Sequence, residues 1–193
     1  MIFFKPLLHL ACTALLLFSR LGAAEPQSAD VVVYGGTSAG VTAVIEVLRS
    51  GHTAILIEPS QHVGGLTTGG LGMTDSGDNR AIGGMAREFY QRTKKHYDEP
   101  SAWVYEKSEA YSHYKKAEDA IWRFEPSVAE KILREMLAEA KAKVVYGQRL
   151  DLQSGVVKKG TEITAIKMES GETYTGKRFI DATYEGDLMA KAG

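Results

Sequence analysis

The chain has 193 residues, enough for one domain with a sizeable core, and its 44% hydrophobic and 24% charged content excludes wholesale disorder. A formal net charge of −1, with no strongly basic run, argues against a nucleic-acid partner. A single cysteine, Cys12, excludes an intrachain disulfide framework.

Residues 1–24 read as a signal peptide. Met1 to Lys5 is short and weakly basic, Pro6 to Phe18 is apolar and Leu-rich, and Gly22, Ala23 and Ala24 supply small residues for cleavage before Glu25. The apolar run is too short to span a bilayer confidently, so the expectation is a secreted or periplasmic protein with no stable membrane span once the leader is gone. A retained N-terminal anchor is the alternative. Cleavage would also remove Cys12, leaving a chain without thiol chemistry. Residues 25–29 are expected to be a short polar linker.

Asp30 to Glu58, DVVVYGGTSAGVTAVIEVLRSGHTAILIE, reads as strand, glycine turn, helix, strand. Val31, Val32 and Val33 form the β-branched run of a strand buried on both faces. Val41, Val44, Ile45 and Leu48 recur at helical spacing, and Gly51 stops that helix. A helix beginning just after a strand points unpaired N–H groups at whatever lies above the turn, and diphosphate fits there without a cationic side chain. The turn comprises Gly35, Gly36, Thr37, Ser38, Ala39 and Gly40. Gly35 allows the sharp bend and Gly40 the close approach of helix to strand. Thr37 stands where G-x-G-x-x-G has its second glycine, so its side chain must turn away or join the phosphate shell. Glu58 follows Gly35 by 23 residues, near the usual offset of about 20 for an acid that binds ribose hydroxyls. A carboxylate there repels a 2′-phosphate, which predicts FAD or NAD.

From Pro59 the chain turns glycine-rich, with Val63, Leu66, Leu71, Met73, Ile82 and Met85 interleaved. That mixture suits backbone pressed against a flat, partly apolar ligand. His62 is expected to be a loop histidine rather than a base. Asp75, Asp78 and Glu88 match no oxygen-ligand loop, so no metal is expected.

The order GGTSAG, EP, HVGGLTTGGLGMTD and IGGMAREFY resembles the secreted or periplasmic branch of FAD-dependent oxidoreductases, distantly similar to the glutathione-reductase-like superfamily. Some members carry a xanthan-lyase-like label. The resemblance implies that Gly64, Gly65 and Leu66 lie against the flavin-side phosphate and ribityl chain, and that Gly69 to Asp75 pass near the isoalloxazine ring. NAD-only domains lack this second glycine pair, so it favours FAD.

Ala86 to Lys95 is expected to be a helix with Phe89 and Tyr90 inward and Arg87, Arg92, Lys94 and Lys95 outward. Tyr97 to Asp119 is a polar and aromatic excursion. Trp103, Tyr105, Tyr111 and Tyr114 either line a substrate site or cap the core rim, and the second is the simpler expectation. Pro126 suits the first turn of a helix whose apolar face is Val128, Ile132, Leu133, Met136, Leu137 and Ala140, leading to a third parallel strand over Lys143 to Tyr146. No site is needed to explain that helix. Leu150 to Thr175 reads as a small antiparallel meander inserted before a final strand, Arg178 to Ala182. The closing FIDATYEGDL resembles the family's I-D-A-T-G-x-G-D-L, which implies cofactor-side roles for Asp181, Ala182, Thr183 and Asp187. Tyr184 replaces a glycine there.

The expected fold over residues 30–193 is a doubly wound, Rossmann-like α/β FAD-binding domain with a parallel core sheet and a small antiparallel β-meander insert. The family is longer, so the chain is expected to be its N-terminal part, without the substrate domain. The expected function is FAD-dependent oxidoreduction, with hydride passing from a small molecule to flavin, a sugar-related one being among the candidate substrates. Alternatives are an NAD-linked dehydrogenase and a non-catalytic dinucleotide- or polysaccharide-associated binding module. No residue is nominated as catalytic.

Overall fold

The computed structural model describes residues 25–75 and 77–193, so the expected signal peptide lies outside the described residues. Strand β1, Gln27–Tyr34, is the centre of a six-stranded sheet. It pairs in parallel with β2, Ala54–Glu58, on one side and with β6, Thr173–Asp181, on the other. Strand β3, Lys143–Tyr146, extends the parallel part beyond β2. Two antiparallel strands, β4 (Val156–Lys159) and β5 (Glu162–Lys167), complete the other edge, giving the order β3-β2-β1-β6-β5-β4.

The period of two along β1 sends alternate side chains to two different cores. Val33 joins Leu56 under three helices: α1 (Ser38–Arg49), α2 (Gly84–Tyr97) and α3 (Pro126–Glu139). Val41, Val44 and Ile45 of α1 are wholly buried there, as their helical spacing requires, alongside Phe89 from α2 and Ile132, Leu133 and Met136 from α3. Val32 and Tyr34 face the opposite side. They pack with Ile55, Ile57, Leu150, Ile166, Tyr174 and Leu188, the last from the short helix α4, Asp187–Ala192.

Three expectations need correction. The strand begins at Gln27, inside the segment read as a linker, because Gln27, Ser28 and Ala29 pair with Tyr174, Thr175 and Gly176. The meander does not precede a separate final strand. β6 is one continuous strand, antiparallel to β5 over Thr173–Thr175 and parallel to β1 along its length. Lys94 is buried rather than outward. Its ammonium pairs with Asp98 and lies 4.6 Å from the Tyr114 ring centroid, which compensates a charge that burial alone would penalise. Among the described residues no helix is long and apolar enough to cross a membrane.

Candidate dinucleotide site

The carboxyl ends of β1, β2 and β6 open onto a cleft of about 680 Å³. The β1–α1 turn forms its floor. Gly35 takes φ of +100°, and a Cβ on it would run into Thr183; a Cβ at Gly40 would run into the Gly35 carbonyl, so helix and turn meet only because Gly40 carries no side chain. Thr37 caps α1. Its hydroxyl accepts from Gly40 N at 3.3 Å and donates to the Ala182 carbonyl at 2.7 Å. The hydroxyl is therefore engaged by the protein itself, and of the first-turn amides of α1 the Thr37 cap takes that of Gly40, leaving those of Ser38 and Ala39 without an acceptor in the helix.

Glu58 reaches the same cleft from the end of β2 and is 9% exposed. Its Oε2 accepts from Gly36 N at 2.6 Å and its Oε1 from Ser60 N at 2.6 Å. Each oxygen keeps a further lone pair, and together these suit the two hydroxyls of a ribose. Gly64 N donates to the Gly36 carbonyl at 2.7 Å, so the second glycine pair is stitched to the first turn.

Of the residues expected at the site, Gly35, Thr37, Glu58, Gly65 and Thr183 line the cleft. Gly36, Gly40, Gly64 and Ala182 shape its walls from behind through the contacts above. Ser38, Ala39, Leu66 and Asp181 lie outside the cleft lining. The Ser38 hydroxyl donates to the Gly64 carbonyl at 3.0 Å, and Ala39 is on the exposed face of α1. The Asp181 carboxylate holds Thr183 N, Thr183 Oγ1 and Met189 N at 3.0, 2.7 and 2.9 Å, organising the turn into α4. Leu66 N donates to the Tyr184 hydroxyl at 2.8 Å. Gly69 and Gly70 line the cleft, whereas Asp75 does not.

The sequence reading missed the opposite wall. Pro126 and Ser127, at the start of α3, line the cleft with Glu130 one turn on. The one signal for it in the sequence is the Pro-led helix start, which by itself calls for no site. Glu130 accepts from His62 Nδ1 at 3.0 Å and from Arg134 Nη2 at 2.6 Å. Burial works against its charge, but these hydrogen bonds together outweigh burial and hold its carboxyl below the ordinary value. Arg134 also donates to the Gln61 carbonyl and the Tyr146 hydroxyl, at 2.8 and 2.9 Å, which ties α3 to the loop after β2.

A turn built on Gly35, Gly36 and Gly40, a helix N-terminus above it and the Glu58 carboxylate beside it fit an adenine dinucleotide. The model of the FAD dependent oxidoreductase family matches residues 30–193. The chain belongs to that family. This decides for FAD over NAD as the dinucleotide of the family's chemistry. Among solved structures, the flavoprotein-family chain shares its fold with L-proline dehydrogenase from P. horikoshii, at TM-score 0.55 and 16% identity over 88% of this chain and 57% of that one. The THI4 protein of Thermovibrio ammonificans gives TM-score 0.55 and 15% identity over 85% of this chain and 61% of that one. A geranylgeranyl bacteriochlorophyll reductase-like protein from Thermoplasma acidophilum gives TM-score 0.54 and 20% identity over 88% of this chain and 43% of that one. The chain thus spans less than two thirds of each of these structures. No curated protein matches it.

Proposed function

We propose that this chain forms the FAD-binding part of an exported oxidoreductase that oxidises a small molecule. The observation that carries the reading is the union of turn and acid, in which Gly36 N and Glu58 Oε2 meet at 2.6 Å beside the mouth of α1. Bound FAD supplies an acceptor for hydride from a substrate carbon. The protein's part is to bind and orient. The Gly35–Gly40 turn and the first-turn amides of α1 hold the pyrophosphate, and Glu58 accepts from ribose hydroxyls. The backbone at Gly64, Gly65, Gly69 and Gly70 flanks the flavin end; the Gly64 and Gly69 amides are spent on the Gly36 and Leu66 carbonyls, so the N–H groups that favour negative charge there are those of Gly65 and Gly70. His62, Glu130 and Arg134 brace the rim.

Export is supported by the apolar Pro6 to Phe18 stretch and the small residues before Glu25. A sugar-related substrate is supported only by the xanthan-lyase-like label of some members of the resembling branch. The test is to purify the chain with FAD added, remove free cofactor and record the visible spectrum. The proposal expects a retained flavin band that Glu58→Ala loses. A protein that retains NAD and no flavin, or that holds FAD equally well without Glu58, overturns it.

A further inference from the structure

A second cavity, of about 400 Å³, adjoins the first. Gly69 and Gly70 line the cleft and Gly72 the cavity, while Pro126 and Ser127 line the cleft and Phe124 and Glu125 the cavity. The same two chain segments therefore divide one from the other.

One wall of this cavity is a short ribbon. Phe124 N donates to the Gly72 carbonyl and Thr74 N to the Trp122 carbonyl, each at 2.8 Å, so Met73 and Arg123 oppose each other as a non-hydrogen-bonded antiparallel pair. Side chains of such a pair stand close together on one face, and strand alternation puts Glu125 on that face too. The other wall is the aromatic excursion after α2. Trp103 packs against Tyr97 and Tyr111 with ring centroids 5.6 and 5.9 Å apart. Of the two expectations for the excursion, capping the core rim is the simpler; Trp103 packs against the core and also walls this cavity.

The charges in the cavity differ in how they are met. The Tyr97 hydroxyl donates to Glu125 Oε2 at 3.0 Å and accepts from Glu125 N at 2.9 Å, so that carboxylate is turned into the wall. Glu106 lies exposed at the rim. Arg123 has one polar side-chain contact, Nη1 to His113 Nε2 at 2.6 Å, and forms no ion pair among the described residues. A guanidinium keeps its charge at any physiological pH and presents five N–H donors in a planar fork that matches a carboxylate. Here most of that fork is unspent, between aromatic walls and beside the flavin end of the cleft.

We propose that this cavity is the substrate subsite and that it takes an organic carboxylate with a flat, largely apolar body. The carboxylate sits on the Arg123 fork and the body lies against Trp103 and Tyr111. The subsite rests on the FAD reading for the ligand's oxidation, but not for its binding.

Benzoate is the probe, titrated into the full chain with FAD added and read in two ways: by tryptophan fluorescence in a Trp122→Phe background, which reports Trp103 without cofactor, and by perturbation of the flavin band. Wild type should give saturable changes in both. Benzamide, isosteric but uncharged, should bind at least about ten-fold more weakly, as should benzoate to Arg123→Gln, with Arg123→Lys between. Equal binding of benzoate by Arg123→Gln, or tighter binding of benzylamine than benzoate to wild type, overturns the proposal. If Arg123→Gln does not fold, the three probes on wild type decide alone. Benzoate bound through Arg123 in a protein that retains no flavin would leave the subsite standing and overturn the FAD reading. A flavin-loaded protein indifferent to benzoate would do the reverse.

Discussion

Gly36 N lies 2.6 Å from Glu58 Oε2, so the glycine turn and the acid proposed to hold the ribose form one hydrogen-bonded unit. That unit has no spare volume. A Cβ on Gly36 would stand 2.8 Å from Glu58 Oε2 and 3.2 Å from both Glu58 Cβ and Val63 Cγ1. Gly36→Ala should therefore push the carboxylate off the position proposed for holding the ribose. FAD affinity is expected to fall at least about ten-fold, the scale of losing one charge-assisted hydrogen bond. Equilibrium dialysis against FAD measures it, and unchanged affinity would show that Glu58 does not hold the cofactor. Glu58→Gln keeps the shape but sets an NH2 group against a backbone donor, so a loss of similar size is expected.

Tyr184 departs from the family's glycine, and its phenol lies over Gly65 with the hydroxyl on Leu66 N. It thus occupies an amide that the resemblance assigns to the cofactor. Tyr184→Phe frees that amide. The FAD-free protein should lose about 1 kcal/mol of stability, one ordinary hydrogen bond, while FAD affinity should not fall. A large drop in affinity on dialysis would mean instead that the hydroxyl itself holds the cofactor.

Much of this was legible because the signals were local. The Val31–Val33 run, the helical spacing of Val41, Val44 and Ile45, and the offset of Glu58 each follow from neighbours in sequence, and β1, α1 and β2 appear where these place them. The rest depended on distant partners. β6 pairs with β1 across 147 residues of chain, as Gln27 with Tyr174 and Tyr34 with Asp181, so nothing local could show that the meander and the last parallel strand are one strand. Pro126, Ser127 and Glu130 enter the cleft only because α3 packs beside α1 and the Gly65–Thr67 turn. Arg123 gained meaning from its pairing with Met73, which no periodicity encodes.

Lys94 shows the same limit and gives a test. It read as an outward charge on α2, yet only 3% of its side chain is exposed, while Asp98 remains 45% exposed. Asp98→Asn would leave the buried ammonium with the Tyr114 ring alone. Because Asp98 is partly solvated, the expected loss is about 1–3 kcal/mol rather than the larger value for a fully buried pair. Lys94→Met removes the charge with the chain length kept and should cost less. Chemical denaturation of both variants checks the order, and a larger loss for Lys94→Met would contradict it.

The pH dependence of stability should have a limit on each side of neutrality, set by different groups. On the acid side, Glu130 is held below its ordinary value by His62 and Arg134, against the opposing effect of burial. A lowered carboxyl contributes stability that is present above its unfolded value, about 4.3, and is lost as pH falls through the folded value. On the alkaline side, burial pushes Tyr97 up to about 12. Its contribution is complete below the unfolded value of about 10 and disappears as pH rises from there through the folded one. Thermal melts across pH should therefore show Glu130→Gln closest to wild type in acid and less stable above it. Tyr97→Phe loses the Glu125 hydrogen bonds, so it should melt lower at neutral pH, and the gap to wild type should close as the medium becomes strongly alkaline. A constant gap for Tyr97→Phe would mean that Tyr97 ionises as easily folded as unfolded, contrary to its burial between α2 and the Arg123 ribbon.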